Sequence, residues 1–189
     1  PATITAPTTI TATYKTQYLV SFTQTGSAVA PTVDYQIDSG SVVTDTVPCD
    51  VWVDATHQIS YTYQAIVPGG TGVRYVLVGV DPESPQTVNG PLTITGTYKT
   101  QYEITVTASP AGAIGGTFKV TYIQCGTTYT GVEKATSWTE WVDATKDVTV
   151  SEPQEYVPSE AGKDGVRYKF DHYDPSDSVT MDGAKTITL

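Results

Sequence analysis

The chain has 189 residues, 20 acidic against 10 basic side chains, and a formal net charge of −10. That balance argues against nucleic acid, whose phosphates need Lys and Arg, and against a basic membrane-surface patch; it suits a soluble extracellular protein. No run of about 18 apolar residues occurs, so no membrane insertion is expected, and Pro1 in the place of an initiator reads as a processed chain.

Residues 1 to 8 hold a Thr-Ile-Thr between prolines and read as an edge strand or extended arm, since Pro is excluded from central strands. From Ile10 the side chains alternate. Ile10, Ala12, Tyr14, Tyr18, Val20 and Phe22 share one parity, and Lys15, Gln17, Ser21 and Thr23 take the other. Period two marks a strand with one buried face. The stretch Thr9 to Tyr18 then recurs almost unchanged as Thr93 to Tyr102, 84 residues later, and a shortened version closes the chain at Lys185 to Leu189. An internal repeat of this length predicts two tandem modules. The Thr93 to Val106 run exceeds an ordinary strand, so it is expected to split near Lys99-Thr100-Gln101, with boundaries of 1–16 for an N-terminal arm, 17–99 for module one and 100–189 for module two.

Other segments pair off in the same order. Trp52 to Thr56 matches Trp141 to Thr145, Gly72 to Tyr75 matches Gly165 to Tyr168, and Asp81-Pro82 matches Asp174-Pro175. The changing offset puts extra residues of module two near 110–137 and 151–165, which are expected to be loops. Module one reads as strands near 18–24, 32–37, 41–46, 50–54, 58–66, 73–80 and 86–98. They are separated by Asp38-Ser39-Gly40, Pro68-Gly69-Gly70 and Asp81-Pro82. Seven short strands with such turns predict an all-β, antiparallel β-sandwich for each module.

Four of these segments together resemble the tandem Ig-like repeats of archaeal cell-surface proteins. They are Tyr98 to Tyr102, Trp52 to Asp54, Arg74 to Asp81 and Val179 to Thr188. The chain departs from that pattern where a Gly-Trp is expected, having Gly79-Val80 in one module and His172-Tyr173 in the other. The resemblance covers nearly the whole chain and implies two extracellular Ig-like structural modules without catalysis.

Candidate chemistry is sparse, and no catalytic residue or cofactor is expected. Cys49 and Cys125 allow one disulfide or two free thiols. Arg74 and Arg167, the only arginines, stand at matched positions, which favours an internal ion pair or tyrosine stack over a ligand clamp. Asp171, Asp174 and Asp177 form an acidic turn that is either a calcium candidate or simply solvated. His57 and His172 have no partner in sequence. Trp52 and Trp141 are matched, which favours core or inter-strand packing; Trp138, unmatched, is expected to be the more exposed one and the candidate platform for a sugar.

The head of the chain belongs to neither module. Residues 2 to 14 are therefore expected to pair with an open edge of another copy, with Ile4, Ile10, Ala12 and Tyr14 filling alternate pockets. A head-to-tail contact of this kind builds a filament or lattice of identical copies on the cell surface. The alternative expectation is an adhesin or carbohydrate-binding appendage of a larger secreted protein.

Overall fold

The computed structural model describes residues 9, 11–111, 113, 115–158 and 165–189. These form an all-β chain in several sheets with two separate hydrophobic cores.

In the first half, one sheet runs in the order β4 (Cys49–Asp54), β1 (Gln17–Thr25), β9 (Leu92–Thr107), β7 (Val73–Asp81) and β6 (Ile66–Gly70). A second sheet runs β3 (Val43–Thr46), β2 (Thr32–Ile37), β5 (Gln58–Tyr63) and β8 (Gln86–Thr87). The alternating apolar positions of the two sheets enclose the first core. Val20 and Phe22 of β1, Val53 of β4 and Ile94 and Tyr98 of β9 meet Val33, Tyr35, Ile59, Tyr61 and Tyr63 from the other layer. Phe22 sits at the centre with Tyr35 stacked on it at 5.4 Å, and Tyr61 and Tyr63 edge-on at 5.7 and 6.2 Å. Aromatic pairs in these geometries add to the stabilisation from burial alone.

The second half is built on the far end of β9. Strand β12 (Trp138–Asp143) pairs with it antiparallel and β17 (Lys185–Thr188) pairs with it parallel. The facing sheet is β11 (Thr127–Ala135), β10 (Thr117–Gln124), β13 (Asp147–Ser151) and β16 (Ser178–Thr180). Between them lie Ile104, Val106, Phe118, Val120, Val142, Val148, Val150, Met181 and Ile187. A small separate sheet joins β14 (Tyr156–Pro158) to β15 (Arg167–Lys169).

Four expectations are corrected. The long Thr-rich run does not split: β9 is one strand of 16 residues, with Tyr98 in the first core and Ile104 in the second. It stays intact because partners cover its whole length, β7 from Val73 to Asp81 and β12 beyond. The sheets are not wholly antiparallel, since β1 and β17 each pair with β9 in parallel. The region 110–137 is not a loop but mostly the β10–β11 hairpin. Its β11 has nine residues where β3 has four, so the insertion lengthens a hairpin. The expected strand over 58–66 ends at Tyr63, and the chain then crosses to the other sheet as β6. The crossing is held by Gln64, whose Oε1 accepts from the Thr32 amide and whose Nε2 donates to the Ile66 carbonyl. Pro68 is tolerated in β6 because that strand is at the sheet edge.

Candidate assembly interface

The two copies of the repeated stretch have different surroundings. In the second copy, Thr95 to Tyr102 pair with Asp81 to Val73 across the sheet. Ile94, Gly96 and Tyr98 point inward and are buried, and Tyr98 is only 3% exposed. Its hydroxyl donates to the Gln64 carbonyl at 2.8 Å. In the first copy, residues 11–16 are exposed and form no strand, and Tyr14 is 90% exposed. The sequence is the same except that Ala12 stands in the place of Gly96, but among the described residues no strand pairs with residues 11–16, and an isolated strand cannot satisfy its backbone groups within a sheet. Of the expected assembly residues, Ile4 and Ile10 lie outside the described residues. Ala12 and Tyr14 fill no pocket of their own chain.

The second half repeats the surroundings of Tyr98. Gln154 repeats the part of Gln64: its Oε1 accepts from the Thr117 amide at 3.3 Å, its Nε2 donates to the Tyr156 carbonyl at 2.9 Å, and its own amide donates to the Thr117 carbonyl. Beside Gln154 opens a cavity of about 420 Å³, also lined by Gly116, Val157, Tyr168, Phe170 and Leu189. In the first half the corresponding space, next to Gln64, is filled by Tyr98. The Asp174–Thr188 bridge is the counterpart of Asp81–Thr95, where the β7–β9 pairing begins. The matched strands β7 and β15 differ: the first has nine residues and lies inside a sheet, the second has three and, among the described residues, pairs with β14 alone.

A second feature links the halves. The Arg74 guanidinium lies over the Trp141 ring at 4.6 Å, and its Nε donates to Gln101 Oε1 at 2.9 Å. Gln101 is fully buried and donates from Nε2 to Asp143 Oδ1 at 2.8 Å and toward Cys125 Sγ at 3.4 Å. Asp143 also accepts from the amides of Cys125 and Gly126 at 2.8 Å each. Burial lowers the pKa of Arg74, whose charge is answered by the Trp141 face and the Gln101 oxygen.

The other sequence candidates fall as follows. The two thiols are free, Cys49 half-buried against the first core and Cys125 exposed at the β10–β11 turn, so no disulfide joins them. Trp138 is not a platform: it packs against Phe118 and Tyr122 beside the second core because it shares inward parity with Val142 on β12. Trp52 and Trp141 have the opposite parity and face outward. Trp141 is covered by Arg74, whereas Trp52 is 61% exposed. Neither arginine pairs with Asp81 or Asp174; Arg167 rests on the Tyr156 ring at 4.1 Å. Asp171, Asp174 and Asp177 do not converge. Asp171 binds His172, Asp177 accepts from Ser176, and Asp174 makes the backbone bridge to Thr188. Among the described residues no group of three or more His, Cys, Asp or Glu side chains is placed to hold a metal ion. His57 contacts Asp38. The joint residues Gln101, Asp143 and Gly72 were not anticipated; the signal was their recurrence as Gln17, Asp54 and Gly165.

No family model matches the chain, and no curated protein does. Among solved structures, the Bacillus anthracis TIE protein is 12% identical over 91% of this chain with a TM-score of 0.32, and this chain spans 33% of its length. A major pilin of Streptococcus pyogenes, T-13, is 10% identical over 94% of this chain and 97% of its own, with a TM-score of 0.25. A C-terminal fragment of the pilus adhesin SpaC from Lactobacillus rhamnosus GG is 13% identical over 92% and 96%, with a TM-score of 0.28. Likenesses this distant decide neither the fold nor the role. No helix among the described residues is long and apolar enough to cross a membrane.

Proposed function

We propose that this chain is a non-catalytic structural subunit of an extracellular, pilus-like filament or surface lattice, of the kind formed by archaeal Ig-like surface repeats. Copies join head to tail. The arm of one copy becomes a strand in the second half of the next.

The supporting observation is the contrast between Tyr98 and Tyr14, one buried against Gln64 and the other exposed, together with a cavity beside Gln154, the counterpart of Gln64. In the matching register, Thr13 to Tyr18 of one copy run along His172 to Val166 of the other. Tyr14 enters the cavity and its hydroxyl meets the Gln154 carbonyl. Backbone hydrogen bonds supply affinity and the tyrosine supplies register, as in β-strand addition generally. Such a contact is heterologous and does not close on itself, so it propagates.

Deleting residues 1 to 13 and, separately, replacing Tyr14 by Ala tests this reading. Both changes are expected to abolish assembly seen by electron microscopy and sedimentation while leaving the melting temperature of the isolated chain unchanged. Unaltered assembly together with a destabilised monomer would refute strand donation. The alternative of a carbohydrate-binding appendage depended on an exposed Trp138, which packs on Phe118 and Tyr122 instead.

A further inference from the structure

We propose that the exposed Trp52 face is the docking surface for the second half of a neighbouring copy, with Arg167 of that copy lying over the Trp52 ring. This rests on the head-to-tail order proposed above and adds a contact outside the donated strand.

The joint inside the chain is the template. Its first-half contributions are Arg74, over Trp141 and bonded to Gln101, and Gly72. The Gly72 carbonyl accepts from the Glu103 amide at 3.0 Å. A β-carbon at Gly72 would stand 2.5 Å from Cβ of Ala184, so the two halves meet there with no room for a side chain. Each of these residues has a counterpart at an outer end of the chain. Arg167 and Gly165 correspond to Arg74 and Gly72, and Gln17, Trp52, Asp54 and Pro91 correspond to Gln101, Trp141, Asp143 and Ala184.

The outer residues are already arranged as their internal counterparts are. Gln17 Nε2 donates to Asp54 Oδ1 at 2.7 Å, as Gln101 does to Asp143 at 2.8 Å. The Gln17 oxygen makes no hydrogen bond within the described residues, whereas the Gln101 oxygen accepts from Arg74. Trp52 lies opposite Leu19 on β1, as Trp141 lies opposite Glu103 on β9, so both indoles leave the same face of equivalent strands. Among the described residues no atom lies within 4 Å of a β-carbon built on Gly165. The one rearrangement required is that Arg167, now over the half-exposed Tyr156, turns to the stronger indole surface. The incoming guanidinium also approaches the Asp54 carboxylate, which lies 3.0 Å from the exposed Lys15 amine and 4.0 Å from His57. A joint copied in this way fixes the rotation between neighbouring copies, which a donated strand alone leaves free.

The test uses the full chain carrying Trp52→Ala, Arg167→Ala or both. Sedimentation velocity reads assembly, and a peptide of Thr9 to Tyr18 reads strand donation separately. Each single variant is expected to weaken association roughly 2- to 30-fold, the range of a cation–π contact, and the double variant no more than the stronger single. Peptide binding stays unchanged in Trp52→Ala. Assembly of both single variants at the wild-type concentration overturns the joint while leaving strand donation standing. Failure of the peptide to bind overturns strand donation, and a wild-type chain that stays monomeric at all concentrations overturns both. Circular dichroism confirms folding of each variant; because Trp52 and Arg167 are exposed, a folding defect would itself contradict the docking-face assignment.

Discussion

Arg74 donates from Nε to Gln101 Oε1 at 2.9 Å, and through that fully buried glutamine the first half of the chain is tied to Asp143 in the second. A neutral amide is well suited to this place. It accepts from a cation on one side, donates to a carboxylate on the other, and adds no charge to a site from which water is excluded.

Replacing Gln101 by Ala removes both contacts and leaves Asp143 with the Cys125 and Gly126 amides alone. Loss of a buried hydrogen-bonded group costs about 1–3 kcal/mol. Because the residue lies between two separate cores, calorimetry is expected to show one unfolding transition for the native chain and two for the variant. One unchanged transition would show that the joint does not couple the halves.

Gly96→Ala is expected to destabilise the first half by about 1–3 kcal/mol, the usual range for overpacking. A β-carbon there would stand 2.7 Å from the Tyr63 ring, whose hydroxyl is pinned to the Thr23 and Ile94 carbonyls. Gly90→Ala meets nothing within 4 Å and serves as the control. Urea denaturation of the two variants makes the comparison.

Phe22→Ala and Phe118→Ala each empty the centre of one core, at about 3–5 kcal/mol. The two cores share no residue, so the losses are expected to add in the double variant. A marked departure from additivity in chemical denaturation would mean that the cores are packed as one.

Much of this fold was readable from alternation. The parity of Val20, Phe22, Ile94 and Tyr98 gave their burial correctly, because a strand has only two faces and one of them must meet the other sheet. Equivalence of Trp52 and Trp141 does not by itself fix their burial. The equivalence is real, but both side chains point outward, and their difference in exposure depends on whether an arginine arrives from a neighbouring half. Nor could spacing show that Lys99-Thr100-Gln101 continues as strand, since its pairing comes from β7 and β12, remote in sequence. The clearest limit is Thr9 to Tyr18. Letters that differ only at Ala12 and Gly96 give a paired strand in one place and exposed chain at residues 11–16 in the other, because strand structure belongs to the pair and not to the segment alone.

Alkaline pH is expected to unfold the first half. Burial, aided by Asp45, raises Tyr35 to about 12; burial and Asp81 raise Tyr61 to about 12; burial raises Tyr98 to about 12. The unfolded chain releases these protons near pH 10. The contribution of the neutral phenols is therefore complete below about pH 10 and is lost as pH rises toward 12. Phenolate absorbance should rise together with loss of the folded signal, and titration of all thirteen tyrosines near pH 10 in a folded chain would contradict the burial.

Acid acts at the other end of the scale. Asp54 is lowered by Gln17 and then Lys15, and Asp38 by the Gln58 amide and then His57. Their contribution is present above the ordinary carboxylate pKa near 4 and is lost as pH falls below it. Melting temperature followed from neutral to acid pH should drop in that window, and Asp54→Asn should flatten part of the drop.

The most direct test of strand donation is a titration of the dilute full-length chain with a peptide of Thr9 to Tyr18, followed residue by residue by NMR. The account predicts saturable binding with amide shifts gathered at Gly116, Val157, Tyr168 and Phe170, and loss of that binding when Tyr14 of the peptide is replaced by Ala. No binding, or equal binding of the Ala peptide with shifts elsewhere, would contradict it.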